Sequence, residues 1–257
     1  MVATRTPSVS SVRRAMSIIE LLAHAPKGMG VSGVSRKIHA PKSSTHTILL
    51  TLARSGFLQR EDRTGNYILG LKILTLGSLH LDKTDVRAQA QRYLHGLVEH
   101  TGLTAHLAIL DGDQLVYVDK IDSPGMVKMN TWVGRRIDAH CTALGKALLA
   151  QLPAHRFDEL YKYKALEQRT GRTISSRDAL KRELQRIRVR NYAVDDEECG
   201  IGVRCVGSTV FDRGGRAAAA IGVSGTTAQI SRDKLESLGK LARVCARKLS
   251  KNLGFTP

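Results

Sequence analysis

Hydrophobic residues recur at helical spacing near the start of the chain and again within residues 32–54. In residues 10–25 the apolar positions fall three and four residues apart, which indicates an amphipathic helix. Val34 and Ile38 lie four apart in a second helical stretch, and a third stretch follows Pro41. A turn separates the second and third stretches, because proline disfavours helical geometry in the residue before it. The pattern predicts a helix-turn-helix.

Short strand-like stretches follow these helices. We interpret residues 57–60 and 66–69 as two strands, and Gly65 in the turn between them can adopt a positive φ. Three helices and a hairpin make a winged helix-turn-helix. A leucine-rich segment follows at residues 71–81. Two interpretations of it stay open: a helix that packs against a second copy of the chain, and a helix buried in its own chain.

The remainder of the chain mixes helical and strand patterns. Helices are predicted at residues 85–100, 142–152, 153–164, 176–190 and 231–252. Strands are predicted at residues 104–110, 114–121, 126–131, 201–212 and 216–224, with a loop at 134–140. Strands in two groups around helices predict an α+β fold with an antiparallel sheet.

Charge points to a polyanionic partner. The formal net charge is +17, and residues 1–70 carry ten Lys and Arg against three Asp and Glu, a net of +7. The second helix of the predicted helix-turn-helix has a short, polar face that lacks carboxylates, which is typical of a helix in a DNA major groove. The alternative is a solvated helix hairpin. The candidate groove residues are Lys42, Ser43, Ser44, His46 and Thr47, and the candidate phosphate contacts are Arg36, Arg60 and Arg63.

The first eleven residues contain no apolar stretch typical of a signal peptide, and no apolar run approaches the ~18 residues that a membrane span needs. The four cysteines form no CxxC pair. We therefore expect a cytoplasmic protein with reduced thiols and no membrane partner.

Two cysteines raise the possibility of an enzyme. Cys141 directly precedes a predicted helix, and a thiol at a helix N-terminus can have a lowered pKa. A cysteine-dependent hydrolase that uses Cys141 or Cys205 is therefore an alternative hypothesis. No histidine is fixed as its base by spacing, and both residues suit small apolar packing positions or pocket walls. The sequence also lacks the GxSxG, HExxH and P-loop motifs.

A zinc site is conceivable from ligand type alone. His140, Cys141, Cys199 and Asp196 are residues that bind zinc. They are scattered along the chain, so the signal is weak, and we expect no metal. The start of the helix near residue 142 is also suited to a small organic acid, because its free N–H groups and dipole favour an anion.

Several long motifs, in order along the chain, are similar to those of the IclR family of transcriptional regulators. The turn and second helix carry Ala-Pro-Lys-Ser-Ser-Thr-His at 40–46, and Tyr-Ile-Leu-Gly follows the wing at 67–70. The segments at residues 140–150, 195–206, 210–212 and 220–225 resemble the family's pocket helix and closing signature. The resemblance covers nearly the whole chain.

The resemblance implies a regulator without enzymatic activity or cofactor, which binds a palindromic promoter site as a homodimer or homotetramer. It also implies a GAF-like effector domain that senses a small molecule. The implied organisation is a flexible tail at 1–7, the DNA-binding domain at 8–70, a linker or dimerisation helix at 71–84 and the effector domain at 85–255. The implied effector-binding residues are Ala143, Leu144, Asp195, Cys205, Gly222 and Ser224.

Three positions depart from the family pattern. Position 222 is glycine where serine is common, and Leu144 is bulkier than the small residue often found there. Both departures indicate a less polar ligand, such as an aromatic acid. Thr47 stands where arginine is frequent, which removes one expected phosphate or guanine contact.

Overall fold

The computed structural model describes residues 9–82 and 85–256, of which 80–82 and 85 are described by their backbone alone. The predicted tail at 1–7 lies outside this part of the chain. Two compact units, Met1–Lys83 and Thr84–Pro257, divide the molecule.

The first unit has three helices, a hairpin and a fourth helix. Its elements are α1 (Ser10–Ala23), α2 (Val31–Lys37), α3 (Lys42–Arg54), β1 (Leu58–Arg60), β2 (Tyr67–Leu69) and α4 (Leu71–Asp82). β1 and β2 are antiparallel, with Leu58 opposite Leu69. One core joins the three helices to the hairpin through Ile18, Leu22, Val34, Leu49, Leu58 and Tyr67. This arrangement confirms the predicted winged helix-turn-helix.

Helix α4 exposes leucine side chains. Leu71 is 77% exposed, and Leu74, Leu76 and Leu79 are also exposed. These leucines are not part of the core of the first unit. They leave an apolar surface on α4.

The second unit is built on one six-stranded antiparallel sheet. Its elements are α5 (Asp85–Thr101), β3 (Thr104–Asp111), β4 (Gln114–Ile121), β5 (Arg136–Asp138), a 3-10 turn at Ala139–Cys141, α6 (Ala143–Leu149), α7 (Ala154–Tyr161), α8 (Arg177–Arg190), β6 (Ala193–Asp196), β7 (Val203–Phe211), β8 (Ala217–Thr226) and α9 (Lys234–Asn252). The strand order is β5-β4-β3-β8-β7-β6, and all neighbours are antiparallel. The predicted α+β class is confirmed.

Three sequence predictions about strands are wrong. Residues 126–131 form no strand but an irregular segment, the strap. The Nζ atom of Lys120 donates hydrogen bonds to the carbonyl oxygens of Met129 and Thr131, both at 2.9 Å, so these groups are not available to a strand partner. β5 lies where a loop was predicted. β6 was missed because two of its four residues, Asp195 and Asp196, are of a type that is rare in strands; the segment that follows it, residues 197–202, is the acidic loop.

Helix α6 is almost entirely buried against the sheet. Leu144, Ala147 and Leu148 are part of the main core cluster of this unit. The side chain of Thr142 caps the helix by accepting a hydrogen bond of 3.1 Å from the Gly145 N–H group. No helix within residues 9–82 and 85–256 is long and apolar enough to cross a membrane.

Candidate functional site

The N-terminal half of α3 presents a continuous polar face. Lys42, Ser43, His46 and Thr47 are exposed, and their spacing of one and four residues puts them on one side of the helix. Ser44 is half-buried, and its hydroxyl donates to the Pro41 carbonyl at 3.1 Å. Four of the five predicted groove residues therefore share an accessible face, and Ser44 lies at its margin.

The predicted phosphate contacts differ in their surroundings. Arg36 is exposed on the last turn of α2. The Nε atom of Arg60 donates to the Gly65 carbonyl at 3.2 Å, so this guanidinium is tied to the wing turn. Arg63 is exposed at the tip of the same turn.

A second basic surface of this unit was missed by sequence reasoning. Arg13 and Arg14 of α1 line one concavity together with Lys37 and His39. The lining contains no carboxylate. His39 lies in the turn that precedes α3, so this surface adjoins the end of α3 that carries the predicted groove residues. Only tertiary packing brings α1 to this turn.

The second unit contains a cavity of about 200 Å³ at the start of α6. Five of the six predicted effector-binding residues line it: Ala143, Leu144, Asp195, Cys205 and Ser224. The other lining residues that matter for its chemistry are Tyr117, Thr131, Arg135 and Cys199. No sequence pattern indicated Tyr117, which lies on β4, or Arg135, which directly precedes β5.

Gly222 is not among the lining residues. It lies opposite Gly207 on the neighbouring strand, and the Leu144 side chain packs over Gly207. A Cβ atom at 222 would overlap the Val206 carbonyl oxygen and lie 2.7 Å from the Cα atom of Gly207. The bulk of Leu144 is thus accommodated by a glycine, and position 222 has no room for a side chain.

Asp195 is the buried carboxylate of the cavity. Its Oδ1 atom accepts hydrogen bonds from the N–H groups of Glu198 at 2.7 Å and Cys199 at 3.3 Å, which orders the acidic loop. Its Oδ2 atom is buried and has no hydrogen-bond partner within the described part of the chain. Burial raises the pKa of Asp195 to about 6, although Lys146 and the two N–H groups act in the opposite direction. Oδ2 is free to accept a hydrogen bond from a ligand.

A buried ion pair fixes the acidic loop to α6. The Lys146 ammonium group contacts Oε1 of Glu198, and these residues are 1% and 8% exposed. Burial raises the pKa of Glu198 to about 7, against the opposing influence of Lys146. The pair holds the loop residues Cys199 and Gly200 at the cavity wall.

A neutral histidine, His106, contacts two hydroxyl groups that line the cavity. Burial, with a smaller effect from Lys120, lowers the pKa of His106 to about 3. Its Nε2 atom lies 2.8 Å from the Thr131 hydroxyl, and its Nδ1 atom lies 3.4 Å from the Ser224 hydroxyl. One nitrogen of a neutral imidazole donates and the other accepts, so His106 orients two hydroxyls that line the cavity.

Cys141 and Cys205, the two candidate nucleophiles, do not have the surroundings of a reactive thiol. Cys141 is fully buried, and both its contact with the Cys199 thiol and its burial raise its pKa. Burial likewise raises the pKa of Cys205 well above its usual value. A thiol with a raised pKa forms little thiolate near neutral pH.

The four zinc-type residues are not gathered into a site. Successive side chains of a strand point to opposite faces, so Asp196 points away from Asp195 and pairs with Arg204 and Arg172 at 2.6 and 2.8 Å. The Nε2 atom of His140 lies 3.0 Å from the Glu167 carbonyl. Within residues 9–82 and 85–256, no three His, Cys, Asp or Glu side chains are arranged to hold a metal ion.

Two family models match the chain and together cover most of it. The model described as "IclR helix-turn-helix domain" matches residues 11–62, and the model described as "Bacterial transcriptional regulator IclR C-terminal" matches residues 78–251. The second match contains the whole cavity.

Full-length relatives carry the same two parts. The chain is 32% identical over 252 residues to the HTH-type transcriptional regulator XynR of Escherichia coli K12, covering 97% of this chain and 99% of XynR. It is 29% identical to the acetate operon repressor of Salmonella typhimurium, covering 98% of this chain and 92% of the repressor. The crystal structure of the Thermotoga maritima IclR has a TM-score of 0.80 at 32% identity and covers 95% of this chain and 99% of that one.

These relatives are transcriptional regulators, so the hypothesis of a cysteine hydrolase has no support. The description of XynR as an HTH-type regulator agrees with the helix-turn-helix of the first unit. The chain belongs to the IclR family of DNA-binding transcriptional regulators.

Proposed function

We propose that this regulator is a repressor that binds a palindromic operator as a homodimer or homotetramer and responds to a small organic or aromatic acid. The observation that carries the proposal is the cavity at the start of α6, which combines Arg135 with a buried oxygen of Asp195 that has no hydrogen-bond partner among the described residues. One relative, the acetate operon repressor, is named as a repressor. We assign DNA binding to residues 8–70, linkage and dimerisation to 71–84, and ligand sensing to 85–255.

The proposed DNA interface is centred on the N-terminal half of α3. In helix-turn-helix proteins the N-terminal residues of the second helix contact base edges, while the first helix crosses the DNA backbone. Lys42, Ser43, Ser44, His46 and Thr47 would face the groove. The proposed phosphate contacts are Arg36, Arg60 and Arg63. We add Arg13, Arg14 and Lys37, which line the concavity between α1 and the end of α2.

Replacing the proposed phosphate contact Arg13 by glutamine is expected to weaken DNA binding and its dependence on salt, and replacing the proposed groove residue Lys42 by glutamine is expected to weaken binding to the operator. Each lost phosphate contact lowers the slope of log K against log [salt] by about 0.9, because fewer counterions are released. Fluorescence anisotropy with duplex DNA from the region upstream of the gene, over a series of KCl concentrations, measures this slope.

Arg54→Gln is the matched control. Arg54 is exposed at the C-terminal end of the same helix, about 18 Å from Lys42 at 1.5 Å per residue, and its loss removes the same charge. We expect its slope to equal that of the unmodified protein. Equal operator affinities for Lys42→Gln and Arg54→Gln would contradict the proposed orientation of α3. Salt-insensitive binding no tighter than to random duplex would contradict operator recognition itself.

The proposed oligomer rests on α4. Leu71, Leu74, Leu76 and Leu79 expose apolar side chains on one short helix. A second copy of α4 would remove this surface from water. A pair of winged helices related by a two-fold axis would then require an operator with the same symmetry.

The proposed effector is small because the cavity is small. Its volume of about 200 Å³ is below the roughly 300–1,000 Å³ of pockets that hold drug-sized ligands. Arg135 supplies a positive charge for a carboxylate, and Ile137, Leu144 and Val203 supply apolar walls for the rest of the molecule. Ala143, Asp195, Cys205 and Ser224 complete the proposed contacts. Gly222, the sixth residue implied by the family resemblance, acts indirectly, because it allows β7 and β8 to lie close together.

A carboxylic acid that binds here is expected to raise the melting temperature of the protein. A ligand at a hundred times its Kd stabilises the native state by about 2.7 kcal/mol. Differential scanning fluorimetry with a panel of short aliphatic and aromatic monocarboxylates measures the shift. Replacing Arg135 by glutamine is expected to lower the affinity at least about tenfold, because hydrogen bonds to charged groups are among the stronger ones.

Arg136→Gln is the neighbouring control for this experiment. Arg136 points out of the cavity and pairs with Asp111 at 2.7 Å, so its loss leaves the cavity unchanged. The proposed ligand class is wrong if every active acid shifts the melting temperature of the Arg135 and Arg136 variants equally.

A further inference from the structure

The second unit contains another, larger cavity that shares no lining residue with the effector cavity. It has a volume of about 880 Å³ and lies among the C-terminal parts of α6, α8 and α9 and the second half of β7. This volume is within the range of established small-molecule pockets. Nothing in the proposed function uses it.

The cavity exists because β6 is shorter than β7. β6 pairs with β7 only from Ala193 opposite Gly207 to Asp196 opposite Arg204. The next residues of β7, Ser208 and Thr209, therefore have β8 on one side and the cavity on the other. This edge of β7 is the floor of the cavity; Ser208 and Thr209 are both buried there, and their side chains lie on opposite faces of the sheet.

The floor presents oxygen atoms that accept hydrogen bonds. The Ser208 hydroxyl donates to the Asn191 carbonyl at 2.7 Å, and the Thr209 hydroxyl donates to the Ala147 carbonyl at 2.8 Å. Each hydroxyl has one hydrogen, which is already used, and keeps lone pairs. A ligand that matches this floor therefore carries hydroxyl groups that donate.

The rim is positively charged. Arg243, Arg247 and Lys251 follow one another at intervals of four residues on α9, so they lie on one face and span about 12 Å. The lining contains no Asp or Glu, and none of the three has an ion-pair partner within the described residues. Elsewhere on the same helix, Lys240 is paired with Glu236. The unpaired like charges repel one another, and a bound anion would remove that repulsion.

Aromatic and aliphatic groups form the remaining wall. The rings of Phe211 and Phe255 stack with centroids 5.1 Å apart, and Ile187 is buried beside them. These groups suit the apolar faces of a compact ring. The cavity thus combines acceptors on its floor, cations at its rim and a flat apolar wall.

We propose that this cavity is a second small-molecule site, which binds a sugar phosphate: a polyhydroxylated ring or chain with two or more negative charges. Hydroxyl groups of the ligand donate to the Ser208 and Thr209 oxygens, and its phosphates bind Arg243, Arg247 and Lys251. The floor also contacts α6, because Thr209 is bonded to the Ala147 carbonyl, one turn after the residues that line the effector cavity.

Isothermal titration calorimetry of the full-length protein tests the proposal with fructose 1,6-bisphosphate, glucose 6-phosphate and 6-phosphogluconate as probes. Arg243→Gln/Arg247→Gln is expected to weaken binding by at least about tenfold for each lost charged contact. Lys248→Gln is the matched control, because Lys248 is exposed next to Arg247 but lies outside the cavity. We expect its affinity to equal that of the unmodified protein. Thermal unfolding of each variant verifies that it is folded.

Inorganic phosphate and free fructose are the comparison ligands, and both are expected to bind at least tenfold more weakly than the bisphosphate. Equal binding of inorganic phosphate would overturn the sugar assignment and leave a general anion surface. No binding of any probe, or equal binding to both sets of variants, would overturn the site. Sedimentation velocity tests whether the occupant is instead a second copy of the chain. If no probe binds and Arg243→Gln/Arg247→Gln changes the oligomeric state, the cavity is an interface between copies and the proposal is wrong. The effector-cavity variant Arg135→Gln should bind these probes, so this test and that of the proposed function fail independently.

Discussion

Replacing Lys146 by methionine is expected to lower the free energy of unfolding by about 3–5 kcal/mol, because it leaves the buried Glu198 carboxylate without its partner. Both side chains are almost fully buried, and Oε2 of Glu198 already lacks a hydrogen-bond partner within the described residues. The lost pairing would also release the acidic loop, so ligand binding in the effector cavity should weaken in parallel. Urea unfolding followed by circular dichroism measures the change.

The pH dependence distinguishes this mechanism from a simple packing defect. The pKa of Glu198 is raised from 4.5 to about 7, so the stability associated with its neutral form is present at low pH and is lost as the pH rises through about 7. Without Lys146 that pKa rises further. The difference in unfolding free energy between the unmodified protein and Lys146→Met should therefore be larger at pH 8 than at pH 5. A loss that is equal at both pH values would contradict the argument.

Two further variants serve as comparisons, one with both members of the pair replaced and one at an exposed ion pair. Lys146→Met/Glu198→Met replaces the pair by apolar side chains and should recover most of the lost stability, because replacing both partners is often neutral. Lys240→Met removes one member of an exposed ion pair on α9 and should change stability little.

Replacing Gly222 by alanine is expected to destabilise the protein by about 1–3 kcal/mol, as overpacking of a well-packed interior does. The new Cβ atom would overlap backbone atoms of Val206 and Gly207, which cannot rotate away as a side chain can. Relief requires separation of β7 from β8 at the centre of the sheet. Thermal and urea unfolding measure the loss. Gly222→Ser, which introduces the residue common in the family, should be at least as harmful.

Gly96→Ala is the control for this substitution. Gly96 lies within α5, and a Cβ atom there would meet no heavy atom within 4 Å. Alanine should stabilise the helix by about 0.5–1 kcal/mol, because glycine loses more conformational freedom on folding. Similar effects at 96 and 222 would show that close strand contact does not limit position 222.

The winged helix-turn-helix was predictable because its pattern is local. The helical spacing of Val34 and Ile38, the break at Pro41 and the turn at Gly65 all act within a few residues, and the structure contains the corresponding elements. The strap was not predictable for the opposite reason. Residues 126–131 resemble a strand in composition, but Lys120 binds their carbonyl groups and replaces a strand partner.

The effector cavity was predictable only in part. The family motifs named Ala143, Asp195 and Ser224, and all three line it. The motifs could not name Tyr117 or Arg135, because these residues lie on β4 and just before β5, outside every motif, and only the pairing of the strands brings them to the cavity. Nor could they indicate that Gly222 has no room for a side chain, which depends on the distance between β7 and β8.

The sequence alone determined the family, the α+β class and the basic, carboxylate-free face of α3, since periodicity, charge and long motifs are properties of neighbouring residues. Tertiary structure decided which oxygen of Asp195 stays unpartnered, that Lys146 and Glu198 form a buried pair, and that α1 adds arginines beside the turn before α3. It also created the large cavity, because β6 ends before β7. These features depend on distances between residues far apart in the chain, which only the packing of the folded protein fixes.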